Sequence, residues 1–168
     1  MQAASRPGPP AADLGWMQVA AAARVARLAT RNASGGVDLV PFVFAWLAPG
    51  ADPADGGAPL GRLVSAVDHK PKRHQRLARL ANVARDPVVS VLVDHYDDVD
   101  WTALWWIRIS GRAEVVEAGA RHVAAVDALV AKYPQYRDRR PAGPVLDIVV
   151  EALRAWSAGV PPQASAAR

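Results

Sequence analysis

The sequence predicts a mainly antiparallel β-barrel of about six strands with flanking helices. Three observations carry this reading. Residues 23–31 and 37–45 are two apolar-rich runs separated by Asn32, Ser34, Gly35 and Gly36, which supply the positive φ that a hairpin needs. Further strand patterns return at 62–67, 87–94, 102–117 and 144–156. Helical periodicity interrupts them only near 72–84 and 119–133, and the hairpin join argues against a purely parallel sheet.

Taken in order, residues 1–12 and 159–168 have the composition of mobile tails, with Pro7, Pro9, Pro10, Pro161 and Pro162 opposing regular structure, so the domain spans 13–158. Asp13 caps a short helix running to about Ala23, whose apolar side is Leu14, Met17 and Val19. The hairpin follows. Pro41 lies inside its second strand and cannot donate to a ladder, which marks an edge, a bulge or a ligand-facing surface. Residues 46–61 read as a Gly/Pro/Asp loop before the strand at 62–67. A helix then starts within a residue or two of Pro71, with Leu77, Leu80, Ala81 and Ala84 on one buried stripe and Lys72, Arg76 and Arg79 on another face.

In the strand at 87–94, Val88, Val89, Val91, Leu92 and Val93 are apolar on both sides of the pleat, which predicts burial on both sides. Period-2 geometry in 102–117 sends Ala103, Trp105, Ile107 and Ile109 one way and Leu104, Trp106 and Arg108 the other, with Gly111 as a bulge. The helix at 119–133 turns Val123, Val126, Leu129 and Val130 inward. A basic connection with Arg137, Arg139 and Arg140 leads to the last strand.

Composition narrows the chemistry. At 168 residues the chain is one domain long enough to bury a sizeable core without staples. Cysteine is absent, so disulfides, thiolate catalysis and Cys-based metal sites are excluded, and the four His form no metal-ligand pattern. Redox chemistry would need a borrowed organic cofactor. A net charge of +4 favours anionic partners. With no signal-peptide core and no run of about 18 apolar residues, the expectation is a soluble cytoplasmic protein without a membrane partner.

The chemistry-bearing stretch is 67–94, a strand end, a basic helix and a second apolar strand. From His69 to Arg85 there are Lys70, Lys72, Arg73, Arg76, Arg79 and Arg85 and no acid. The helix start adds its N–H groups and dipole to Lys70, Lys72 and Arg73, so a phosphate is the natural guest there. A solvated amphipathic helix and a nucleic-acid patch are the other readings of the same charges.

RVARLATR, GGVDLVPFVF, AVDHKPKRHQRL, ANVARDPVVSVLVDHYD and LWWIRISGRAEVV, in that order, resemble the pyridoxamine 5'-phosphate oxidase-like family of split β-barrels, in its deazaflavin-dependent branch. The resemblance covers roughly 20–156 and implies a six-stranded split barrel, a homodimer with the cofactor between subunits, and no specific nucleic acid. It implies an oxidoreductase passing hydride between coenzyme F420, with FMN as the alternative, and a small organic substrate. A non-catalytic cofactor-binding protein is a further reading. By position, Leu28, Ala29 and Thr30 line the phosphate and ring region, Val40, Pro41 and Phe42 run along the ring system, and Ser65, Ala66 and Val67 end the strand beside it. Lys70 and Lys72, joined by Arg73, match the phosphate-holding positions. Trp105 and Trp106 lie on the strand that helps build the dimer face. No catalytic side chain is assigned, and Tyr96, His95 and Tyr133 are the candidate proton donors.

Overall fold

The computed structural model describes residues 11–50, 58–67 and 75–163. α1 (Ala11–Ala22) opens the fold, so Ala11 and Ala12 belong to a helix and not to the tail. β1 (Ala26–Arg31) and β2 (Val37–Phe42) form the expected hairpin. In its turn Gly35 takes φ 84°, and Asn32 Oδ1 accepts from the backbone of Ser34 and Gly36. The ladder then breaks at Val43 and Phe44, and β3 (Ala45–Leu47) begins at the last residue of the expected strand and runs into the expected loop at 46–61. β4 (Arg62–Ala66), α2 (Gln75–Arg85), β5 (Val88–His95), β6 (Trp105–Val116), α3 (Ala120–Lys132), α4 (Gln135–Asp138) and β7 (Val145–Ser157) complete the order.

All seven strands join one antiparallel sheet in the order β2-β1-β5-β6-β7-β4-β3. The expected six-stranded barrel is corrected: there are seven strands, because the apolar run at 37–45 is divided in two, and the sheet is not closed. Its two edges, β2 and β3, are nevertheless separated by only Val43 and Phe44. A flat sheet of this width would hold its edges about 29 Å apart, whereas three peptide units reach at most about 11 Å. The sheet must therefore curl until its edges approach at this crossing.

The curl gives two cores. Leu28, Phe42, Phe44, Leu63, Val91, Ile107, Ile109 and Ile148 fill the interior, while Ala45, Val64, Ala66 and Val145 pack beneath α3 against Val126, Leu129 and Tyr133. A charged lock joins the α3 side: Arg62 and Asp147, 2 % and 1 % exposed, pair at 3.4 Å, and Arg121 of α3 reaches the same Asp147 oxygen at 2.9 Å and Glu114 at 2.8 Å.

Three burial expectations are corrected. β5 alternates strictly: Val89, Val91 and Val93 are buried, but Val88 and Leu92 are exposed because no described element covers the outer face there. On α2 Asn82 and Val83 are buried and Leu80 packs against the core as expected, but Ala81 and Ala84 are exposed. On α3 Ala125 is buried and Val123 faces solvent. The bulge expected at Gly111 falls at that register but on the partner strand. Register shifts between Ser110 and Gly111, leaving Glu151 of β7 as the extra residue, and a Cβ at Gly111 would lie 2.2 Å from the Val149 carbonyl oxygen. Trp105 turns inward, its ring 6.4 Å from Trp16, and Trp106 turns outward opposite Trp156. Ala103 lies in a single 3-10 turn, Trp101–Ala103, ahead of the strand. Among the described residues no helix is long and apolar enough to cross a membrane.

Candidate functional site

The hairpin and α2 enclose a half-open cleft of about 320 Å³, lined by Thr30 of β1, Val37, Asp38, Leu39 and Val40 of β2, and Ala78 and Arg79 of α2. Its lining mixes apolar residues with Thr30, Asp38 and Arg79, and two amides converge on the Asp38 carboxylate. Asn32 Nδ2 donates to Asp38 Oδ1 at 2.9 Å, Asn82 Nδ2 donates to Oδ2 at 2.8 Å, and the same Asn82 nitrogen lies 3.1 Å from Thr30 Oγ1. The Asn32 amide, then the Asn82 amide, with Arg85 assisting and partial burial opposing, hold the Asp38 carboxyl below its usual range. Asp38 is thus a fixed, ionised acceptor in a cleft of mixed lining. Thr30 and Asn82, 3 % and 4 % exposed, brace it from beneath.

The expected cofactor residues that are described fall in four places. Thr30 and Val40 come together in the cleft. Leu28 and Phe42 share the inward face but are sealed in the core, at 0 % and 5 % exposure. Ala29 and Pro41 face outward on the other side of the hairpin, Pro41 exposed on the edge strand, where its missing N–H costs no ladder bond. On β4, Ser65 and Ala66 are buried, Ala66 in the α3 core, and Val67 is half-buried with its N–H on the Pro144 carbonyl. Lys70, Lys72 and Arg73, with the helix start at Pro71, lie outside the described residues. In sequence they directly precede α2, whose Ala78 and Arg79 line the cleft. Arg79 is half-buried there.

Sequence reasoning missed Asp38, Asn32 and Asn82. A signal existed: period 2 in β2 puts Asp38 on the same face as Val40 and Phe42, and Asn82 interrupts the apolar positions of α2. Of the candidate proton donors, Tyr133 has its hydroxyl engaged with the backbone of Phe44 and Arg24. His95 is exposed and stacks on Trp105, and Tyr96 is exposed. Among the described residues no group of three or more His, Cys, Asp or Glu could hold a metal ion.

The family model described as pyridoxamine 5'-phosphate oxidase matches residues 16–157. The chain belongs to the pyridoxamine 5'-phosphate oxidase family. That places the split-barrel architecture, and the hairpin cleft with it, inside a family that includes oxidoreductases. Among solved structures, a conserved hypothetical protein of Mycobacterium tuberculosis is 19 % identical with a TM-score of 0.64, over 95 % of this chain and 93 % of that one. A heme binding protein from Mycobacterium smegmatis is 21 % identical, TM-score 0.63, over 90 % of this chain but 56 % of that one. A FAD-binding protein from Mesorhizobium loti is 18 % identical, TM-score 0.59, over 88 % and 94 %. These likenesses establish the fold. No curated protein matches the chain.

Proposed function

We propose that the protein is an oxidoreductase that holds a flavin-type cofactor, coenzyme F420 with FMN as the alternative, and passes hydride between it and a small organic substrate. The carrying observation is the cleft beside the hairpin, where Thr30 and Val40 meet an ionised Asp38 opposite Ala78 and Arg79 of α2. These residues suit such a group. Val40 and Ala78 offer apolar surface to a ring system, and Asp38 offers an acceptor to ring N–H or polyol hydroxyl groups. Lys70, Lys72 and Arg73 would hold the phosphate, and the surplus of arginine suits the longer anionic tail of F420. When bound, the cofactor supplies the hydride chemistry; the chain orients it and keeps water from it. The FAD-binding relative supports a flavin-type guest.

Haem is a weaker reading despite the heme binding relative, since none of the described lining residues is a His, Met, Cys or Tyr able to ligate iron. A homodimer forms part of the proposal: Val37 and Leu39, 67 % and 64 % exposed on edge strand β2, are apolar surface that a second subunit would cover. The deciding experiment is an absorption spectrum of the purified protein followed by titration with F420, FMN and haem. F420 is expected to bind tightest, and Lys70→Ala or Lys72→Ala to weaken it about ten- to a hundredfold, the loss of one charge-assisted hydrogen bond. No binding of either flavin-type cofactor, or tighter binding of haem, refutes the assignment.

A further inference from the structure

We propose a second anion site, on an outer face of the sheet that no described element covers, formed by Arg108 of β6 and Arg154 of β7. The two residues are direct cross-strand partners on the same face. In an antiparallel pair such positions hold their Cβ atoms only about 5 Å apart, and like charges directly opposed there repel each other. Both side chains are exposed.

Three other strand arginines are answered by acids, while Arg112 of β6, exposed and also without an ion pair among the described residues, has Val88 and Val149 as cross-strand partners and so opposes no like charge. Arg27 pairs with Asp94, Arg31 with Asp86, and Arg62 with Asp147. Among the described residues neither Arg108 nor Arg154 has an ion pair or side-chain hydrogen bond. The nearby carboxylates do not relieve them. Asp94 is two positions along β5 from Leu92, the partner of Arg108, and is engaged by Arg27. Glu151, the bulge residue, pairs with neither.

The neighbouring rows shape a seat. On one side of the pair Ser90, Ser110 and Ala152 align across β5, β6 and β7, a shallow row of small side chains. On the other, Trp106 and Trp156 stand opposite each other and wall it off. Two guanidinium groups on opposed positions beside a low row can share the oxygens of one multivalent oxyanion, phosphate or carboxylate in type, each offering paired N–H donors. Such an anion turns the mutual repulsion of the arginines into a bridge between β6 and β7.

The test is thermal unfolding of the full chain, without cofactor, in low-ionic-strength buffer, with Lys70→Ala and Lys72→Ala present throughout so that the proposed cofactor-phosphate positions do not answer the probes. The probes are pyrophosphate and citrate, compared with sodium chloride at matched ionic strength. In this background, pyrophosphate or citrate raises Tm above the chloride control in a saturable way. Arg108→Gln and Arg154→Gln each raise Tm in the absence of the probes, because repulsion is relieved, and each loses the probe-dependent rise. Arg154→Lys keeps the charge and retains a weaker rise. Arg137→Gln, on α4, leaves the response intact. An anion effect equal to that of chloride, or one that survives Arg108→Gln and Arg154→Gln, overturns the proposal; so does a lower Tm of both Gln variants in probe-free buffer.

Discussion

Tyr133→Phe removes one oxygen at the point where the chain passes from one edge of the sheet to the other. The Tyr133 hydroxyl accepts the Phe44 N–H at 3.1 Å, and its own proton is shared between the carbonyl oxygens of Arg24 at 2.7 Å and Phe44 at 2.8 Å. Phe44 is 0 % exposed, so water cannot take over its amide. An orphaned buried donor costs roughly 1–3 kcal/mol and the lost hydroxyl bond about 1 kcal/mol net, so the variant should lose about 2–4 kcal/mol. For a chain of this size that lowers Tm by roughly 4–16 °C. Urea unfolding gives the energy, and amide exchange read at Phe44 locates it: protection there should fall more than in β5 or β6, far from the hydroxyl. A loss under about 0.5 kcal/mol, with Phe44 protection unchanged, would refute the idea that this one hydroxyl secures the crossing.

Asp147→Ala removes the carboxylate shared by Arg62 and Arg121 and should cost about 3–5 kcal/mol, the usual penalty for breaking a buried pair. Arg121→Ala, at a partly exposed side chain, should cost only about 1–2 kcal/mol. The double variant should match Asp147→Ala alone, and additive losses in urea unfolding would show that the groups act independently. Burial, with Arg24 assisting, pulls the Lys132 ammonium down to about 8. Between that value and its ordinary 10.5 the unfolded chain holds a proton that the native one has released, so stability rises with pH across this window; below pH 8 both states are protonated and the burial penalty stands in full. Allowing for its partial exposure, wild type should gain roughly 1–2 kcal/mol relative to Lys132→Met from pH 8 to pH 10.5. Parallel pH profiles of the two proteins would contradict this.

What was legible in the sequence was what neighbours in sequence decide. The hairpin turn is written in Asn32 and Gly35, and the register of the bulge in Gly111, a glycine inside a strand. The division of 37–45 was not, because its cause is a tyrosine 89 residues away that takes the Phe44 backbone out of the ladder. Likewise the valines of β5 look alike in sequence, and only the packing of the interior against one face makes Val91 buried and Val88 exposed. At the site, residue type alone singled out the basic segment before α2. The Asp38 anchor needed the register of β2 and the phase of α2 together, since Asn32 and Asn82 approach it from different elements.

The two outer faces of the sheet are treated differently, and the arginines show it. Beneath α3, Arg62 is sunk to 2 % exposure and held by Asp147, a carboxylate that Arg121 also clasps from the helix. Charge there ties helix to sheet, and its removal is expected to appear as lost stability. Across β1, β5 and β6 no described element covers the outer face: Leu92 lies between Arg27 and Arg108 in the cross-strand row, and Arg108 meets Arg154 head on. A face that leaves like charges opposed gives up local stability for capacity to bind, the reverse of the arrangement under α3. The cleft beside the hairpin obeys the same logic on a smaller scale. Asp38 is braced from beneath by Asn82, which Thr30 in turn contacts, yet it remains partly open, so its fixed charge is available to a guest while its supports belong to the core.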